Sequence, residues 1–210
     1  MKAIFWDIDG TLLNTESLHR KCLITVCNKA DFSVEDKEIS FGISHYDLWD
    51  ILDVHHYFES KEEWLRLIYA EYQLNSDLIK IREGILNILL YLRTLEIKQA
   101  VVSNAVREIV DLNLTQTSLA HFFECSISRN NVSNPKPDGE PYQAALKHFN
   151  LNLWEALAVE DTPLGIQAAK NAGLIAVAFP NEHTEKMDFR LADFVIQHPR
   201  QLIEIIAQKK

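Results

Sequence analysis

Two aspartates one residue apart, Asp7 and Asp9, follow the apolar run Ala3-Ile4-Phe5-Trp6 and lead into Gly10 and Thr11. A short apolar run of this kind reads as a buried strand, and open α/β sheets bind ligands at the carboxyl ends of their strands. Carboxylates set side by side in a cleft repel, so a metal ion or a shared proton has to stabilise them. One can then act as nucleophile or metal ligand while the other moves protons. Three more polar clusters stand at predicted strand ends or in the loops beyond them. They are Ser103-Asn104 after Val101-Val102, Lys136-Pro137 in the polar loop 134–139, and Glu160-Asp161-Thr162 after Ala158-Val159.

Strand ends of a parallel sheet share one edge, so these clusters can converge. A hard divalent cation such as Mg²⁺ takes carboxylate oxygens and keeps room for water and a phosphate oxygen. Asp7 and Asp161, helped by Glu160, would supply the carboxylates. Ser103 and Lys136 would hold phosphoryl oxygens, with Thr11 and Asn104 as further candidate phosphate contacts. With that charge cancelled, a carboxylate oxygen of Asp7 can attack phosphorus and form an aspartyl-phosphate. Asp9, two residues on and on the same side of an extended chain, can protonate the leaving oxygen and then deprotonate the attacking water.

Residues 85 to 95 have helical periodicity, 99–102 read as a strand, and a helix follows from Val106. A short strand lies near 123–127, then helix 140–149, strand 156–159, helix 164–171, strands 175–178 and 194–196, and a closing helix from Pro199. Strand and crossover helix in alternation predict an α/β fold, a Rossmann-like parallel sheet covered on both faces. Between residues 16 and about 80 the periodicity is helical only, as in Ser17 to Val26, Tyr46 to Leu52 and Trp64 to Tyr69. The expected organisation is therefore a catalytic core of 1–15 and 82–210, interrupted by a helical cap of 16–81 placed to act as a lid.

Of the 210 residues, 47% are apolar and 24% charged, an ordinary globular composition. A net charge of −9 argues against nucleic acid or an anionic membrane as main partner. Met1-Lys2 runs straight into a strand with no secretory leader pattern, and no apolar run reaches spanning length. Cys22, Cys27 and Cys125 have no CxxC spacing and read as buried free thiols. The expectation is a cytoplasmic protein, monomeric or weakly dimeric.

Asp7-Ile8-Asp9-Gly10-Thr11-Leu12-Leu13, Ser103-Asn104, Lys136-Pro137-Asp138-Gly139-Glu140-Pro141-Tyr142 and Glu160-Asp161-Thr162-Pro163-Leu164-Gly165 resemble the motifs of the haloacid dehalogenase-like hydrolase superfamily. They stand in that family's order and cover both ends of the chain. The helical insert after the first motif resembles the capped β-phosphoglucomutase and phosphoglycolate phosphatase group. The resemblance implies a Rossmann-like core, Mg²⁺ dependence and phosphoryl transfer. It implies Asp7 as nucleophile, Asp9 as acid/base, Ser103 and Lys136 as phosphate binders. Asp7, Asp161, Glu160 and the backbone carbonyl of Asp9 would be metal ligands. The dehalogenases that name the group resemble this chain at the nucleophile but lack the second acid, so Asp9 points to phosphate esters.

His19 stands where sugar-phosphate members of that family carry a histidine facing the site from the cap. A solvated or capping role is the other reading. Asn14 stands where relatives often have an acid. Gly42-Ile43-Ser44-His45 resembles a cap segment in which an arginine at the position of His45 helps hold a second phosphate, so its absence weakens a mutase assignment. Ser103 could also cap the helix that follows, and Asp161 likewise. His55-His56 read as helix surface, Trp49 and Trp64 as cap core. A Mg²⁺-dependent phosphatase for a small phosphorylated metabolite is the first reading, and a phosphosugar mutase the second. A phospho-receiver domain shares the chemistry, but is shorter, uses a middle strand and has no cap.

Overall fold

Ala3–Trp6 forms the central strand, β1, with all four side chains buried. Its neighbours are β2, Lys98–Val102, and β4, Ala156–Glu160. Beyond them lie β3, Cys125–Ile127, and on the other side β5, Ile175–Ala178, and β6, Phe194–Val195. The order is β3-β2-β1-β4-β5-β6, and every pairing is parallel. The chain reverses its direction of travel across the sheet between β1 and β4, which opens a crevice at their carboxyl ends. The computed structural model describes residues 1–35 and 39–208.

A buried parallel strand covers both faces with apolar side chains, and its two-residue period sorts them. Ile4 and Trp6 point to the face that carries Val101, Leu157, Val159 and Val177. Ala3 and Phe5 point to the other, which is rich in small residues such as Ala100, Ala158, Ala176 and Ala178. Those alanines let two helices approach that face closely: α6, Glu140–Phe149, and α7, Pro163–Asn171. Phe5 fills the space left there, stacked on Phe149 at 6.0 Å and Tyr142 at 6.5 Å.

Among the described residues, four α-helices lie between β1 and β2: α1 Glu16–Lys29, α2 His45–Ile51, α3 Lys61–Leu74 and α4 Ile85–Thr94. Ser44 and Ser60 cap α2 and α3 by accepting from the backbone N–H of Asp47 and Glu63. Trp64, Ile68 and Tyr72, four residues apart, form the buried stripe of α3. Trp64 packs on Trp49 at 5.6 Å, so both tryptophans are core of the insert, while His55 and His56 are exposed. The insert enters and leaves the sheet side by side: Asn14 donates to the Lys80 carbonyl, and Arg82 N–H to that of Leu12, both at 2.9 Å.

The remaining helices are α5, Arg107–Gln116, and α8, Leu202–Ala207. The closing helix opens as a single 3-10 turn at Pro199–Gln201, where His198 accepts from Arg200 N–H. Two of the three cysteines are buried as expected, but Cys125 is half-buried because it sits on the edge strand β3. No helix among the described residues is long and apolar enough to cross a membrane.

Candidate active site

Trp6 is level with Val101 and Val159 in the sheet, and Asp7 N–H extends the ladder by donating to the Val159 carbonyl at 3.0 Å. That register sets Asp7 beside Glu160, the last residue of β4. Asp161 follows it. The three carboxylates are buried and offer oxygens within 4.8 Å of one another. Thr162, not Asp161, caps α7 by accepting from Gly165 N–H at 3.1 Å, so Asp161 stays in the cluster. Its Oδ1 accepts from Thr11 at 3.2 Å and its Oδ2 from Asn181 at 2.7 Å.

The Lys136 ammonium sits in the middle of this group. It donates to Asp7 Oδ1 at 2.7 Å, Glu160 Oε1 at 2.6 Å and the Val102 carbonyl at 2.7 Å, which uses all three of its protons. The Tyr142 hydroxyl donates to the same Glu160 oxygen. Burial opposes a charged lysine, but Asp7 and Glu160 outweigh it and hold Lys136 above the ordinary lysine range. One cation does not balance three acids. Burial pushes Asp7 well above the usual carboxylate range; Lys136 pulls it back, and Glu160 and Asp9 push it further up. Burial does the same to Asp161, reinforced by Asp7, Glu16 and Glu160 and eased by Arg82. An all-oxygen donor set that is short of positive charge fits a hard divalent cation.

Asp9 lies apart from that cluster. Its Oδ1 accepts from Thr15 at 2.7 Å, His19 Nε2 at 2.9 Å and Asn113 at 3.2 Å; its Oδ2 accepts from Ser103 at 3.4 Å. Burial would raise Asp9, but His19, Thr15 and Ser103 outweigh it and hold the carboxyl below its usual range. His19 moves the opposite way: burial disfavours its charge, yet Asp9 and Glu16 hold it above the ordinary histidine value. Thr15 stands at the N-cap position of α1, but its hydroxyl serves Asp9 and leaves that helix without a side-chain cap.

Ser103 does not cap α5, whose N-cap is Val106. It accepts from Ala105 N–H at 2.9 Å and donates to Asp9. Asn104 accepts from the backbone N–H of Lys136 at 2.9 Å. It donates to the carbonyls of Lys136 at 3.2 Å and Gly42 at 3.0 Å, clamping the insert to the lysine loop. A cavity of about 60 Å³ runs between insert and sheet edge, lined by Asp7, Asp9, Ser103, Asn104, Lys136, Glu160 and Asp161, with His19 on the insert side. Thr11 is buried beneath it against Asp161.

Residues 4–179 match the family described as haloacid dehalogenase-like hydrolase. The chain belongs to that family. Among curated relatives of this hydrolase, the pyrophosphatase PpaX of Listeria welshimeri is 28% identical, covering 99% of this chain and 97% of its own length. Among solved structures, CbbY from Rhodobacter sphaeroides in complex with phosphate superposes with a TM-score of 0.81 at 22% identity, over 94% of each chain. The β-phosphoglucomutase of Clostridium difficile does so with a TM-score of 0.83 at 24% identity, over all of this chain and 96% of its own. At those identities the two structures establish the fold.

The hydrolase site also contains side chains that the motifs did not point to. Asn113 is a fully buried amide on the apolar face of α5, a break in helical periodicity that marks a polar partner. Asn181 lies three residues past β5, on the same sheet edge as the other clusters. Arg82 ties that edge together, donating to the carbonyls of Gly10, Phe179 and Pro180 at 2.5, 3.0 and 2.8 Å. Burial lowers it to about 10 while Asp161 opposes the shift. Gly10, at φ +82°, passes so close to Asp161 and Asn181 that a Cβ there would overlap both.

Proposed function

We propose that this hydrolase is a Mg²⁺-dependent phosphatase for a small phosphorylated metabolite, acting through an aspartyl-phosphate on Asp7. The observation that carries the reading is Lys136 held between Asp7 and Glu160, with Asp161 completing an oxygen-only cluster. Asp7, Glu160 and Asp161 would hold the cation, together with the backbone carbonyl of Asp9. Bound there, the cation would neutralise phosphoryl charge and so lower the barrier to attack by an anion.

The chain's own residues do the rest. Lys136 and Ser103, exchanging their hydrogen bonds to Asp7 and Asp9 for phosphoryl oxygens, orient the phosphoryl group so that phosphorus faces Asp7. A carboxylate oxygen of Asp7 attacks, the P–O bond to the leaving group breaks, and that oxygen takes a proton. The proton is held between Asp9 and His19 Nε2, and Asp9 delivers it. A water then attacks the phosphorus of the aspartyl-phosphate and gives its proton to Asp9, which releases inorganic phosphate and frees Asp7. The insert excludes bulk water during the first half, and its residues 16–81 form the lid over a core of 1–15 and 82–210. PpaX is named a pyrophosphatase, which supports hydrolysis of a phosphoryl bond over isomerisation.

Asp7→Asn tests this directly. Mg²⁺-dependent phosphate release from a panel of phosphorylated sugars, nucleotides and small acids should vanish, with a melting temperature equal to or above the parent's. Retained turnover in that variant sinks the mechanism. A mutase would instead need a bisphosphate primer and release no phosphate.

A further inference from the structure

Asp161 is held on one oxygen by Thr11 and on the other by Asn181. Asn181 is not a wall of the cavity that contains the carboxylate cluster. It lines a second, polar cavity of about 300 Å³ beside the linkers of the insert, with Asn14, Ser17, Arg82 and His183. A side chain placed there sets the direction of Asp161 without meeting substrate. Its own direction is fixed. Asn181 Oδ1 accepts from the backbone N–H of His183 at 2.8 Å. That leaves its Nδ2 protons for the Gly10 carbonyl at 3.1 Å and Asp161 Oδ2 at 2.7 Å. The backbone is anchored as well: Asn181 N–H donates to the buried Thr184 hydroxyl at 3.0 Å.

Further along the same turn, His183 meets the insert. Its Nε2 lies 3.1 Å from the Ser17 hydroxyl in the first turn of α1. Its ring stacks on Phe41, which precedes α2, at 5.6 Å and an angle of 19°. A single turn of the core therefore touches the insert through His183 and the carboxylate through Asn181. The two contacts share a hydrogen bond, since the His183 N–H is the donor that orients the Asn181 amide.

We propose that Asn181 is a positioning residue for the cation ligand Asp161, and that His183 makes its grip depend on the seating of the insert. This rests on the reading of Asp7, Glu160 and Asp161 as the cation cluster. Groups that hydrogen-bond a ligating carboxylate fix its direction and so tune the affinity for the metal. The coupling is reciprocal: a seated insert strengthens cation binding, and the cation in turn stabilises the seated insert.

Calorimetric titration of the full chain with Mg²⁺, in the absence of substrate, tests the proposal. Asn181→Ala should raise the Kd for Mg²⁺ by about tenfold or more. His183→Ala, a change at an exposed side chain that the fold tolerates, should raise it by about threefold or more. In the double variant the His183 change should add nothing, because the link it feeds is already cut. Hydrogen exchange reads the reverse direction: Mg²⁺ should slow exchange in α1 of the parent and in neither variant. An unchanged Kd in Asn181→Ala overturns the positioning role. An unchanged Kd in His183→Ala, or full additivity of the two changes, overturns the link to the insert. A merely structural role for both residues would lower the Tm of the chelated protein and leave the Kd where it was. A parent that binds no Mg²⁺ overturns the cation reading and this inference with it, whereas a parent that binds and variants that bind equally overturn the inference alone.

Discussion

His19 Nε2 lies 2.9 Å from Asp9 Oδ1, so an imidazole on the first helix of the insert is paired with a carboxylate of the core. The ring is held from behind by Tyr72 of α3, 4.6 Å away, and the Tyr72 hydroxyl donates at 2.9 Å to Asn113, which donates to Asp9. The acid/base candidate is therefore gripped from the insert and from the core together. On the proposed lid role, lifting the insert would break that grip and so couple closure of the cavity to the placement of a proton.

The pairing gives a pH signature. Asp9 is lowered on folding, so its contribution is present above its unfolded value near ~3.9 and is lost as pH falls through the folded one. His19 is raised on folding, so its contribution is full below about 6.5 and is lost as pH rises through the folded value. The pair therefore stabilises most between about pH 4 and 6.5 and fades toward alkaline pH. His19→Gln should cost about 1.5–3 kcal/mol at pH 5.5, a fall in Tm of roughly 3–12 °C, and much less at pH 9. Scanning calorimetry without metal measures it, and an equal loss at both values would show that the pair is not charged.

Asn113 positions Asp9 without touching substrate. Asn113→Leu keeps the branched heavy-atom skeleton with a bulkier side chain, removes one donor to Asp9 and leaves the Tyr72 hydroxyl without its acceptor. If Asp9 protonates the leaving oxygen, the variant should lose about tenfold or more in kcat on an alkyl phosphate, within the range for general acid catalysis. On p-nitrophenyl phosphate, whose leaving group needs no proton, the loss should be small. A merely structural role for Asn113 predicts equal losses on both substrates.

Much of this site was legible because its backbone logic is one-dimensional. A four-residue apolar run puts Asp7 at a strand end, and the parallel alternation puts Ser103 and Glu160 on the same edge; strands and site clusters then coincide with β1, β2 and β4. Lys136 reads as a loop residue in sequence, since nothing local says that its ammonium crosses to Asp7. The parts that stayed hidden lie across helix faces or act through carbonyls. Tyr142 and Asn113 are single polar residues on buried helical stripes, and only their partners distinguish them from packing. Arg82 binds three carbonyl oxygens, which leave no mark in a sequence. Ser103 and Asp161 each invited a capping role. Val106 and Thr162 hold those positions because the helices begin later than the polar residues suggest.

The shortage of positive charge among Asp7, Glu160 and Asp161 predicts a stabilising cation. Ligand that binds only the folded state adds about 2.7 kcal/mol at a hundred times its Kd. For a chain of this size Mg²⁺ should then raise Tm by roughly 5–11 °C over the chelated protein. Asp7 and Asp161 are raised on folding, so the metal-free protein loses stability as pH climbs through their folded values, and the gain from Mg²⁺ should grow in the same direction. Asp161→Asn should abolish most of the gain. A Tm indifferent to Mg²⁺ and to chelator would argue that the carboxylates share protons instead.

Gly165 sets two effects of opposite sign against each other. It lies in the first turn of α7, where alanine is intrinsically better than glycine by about 0.8–1 kcal/mol. A Cβ at this position, however, would fall within the Glu160 carboxylate, which cannot step aside without releasing Lys136 and Tyr142. Overpacking of this kind costs about 1–3 kcal/mol, and loss of the lysine contact adds to it, so sterics should win over propensity. Gly165→Ala is expected to lower Tm by several degrees and to weaken the response to Mg²⁺, because one of the three carboxylates is displaced. A melting temperature at or above the parent's would mean that Glu160 moves freely, and its place in the metal cluster would have to be given up.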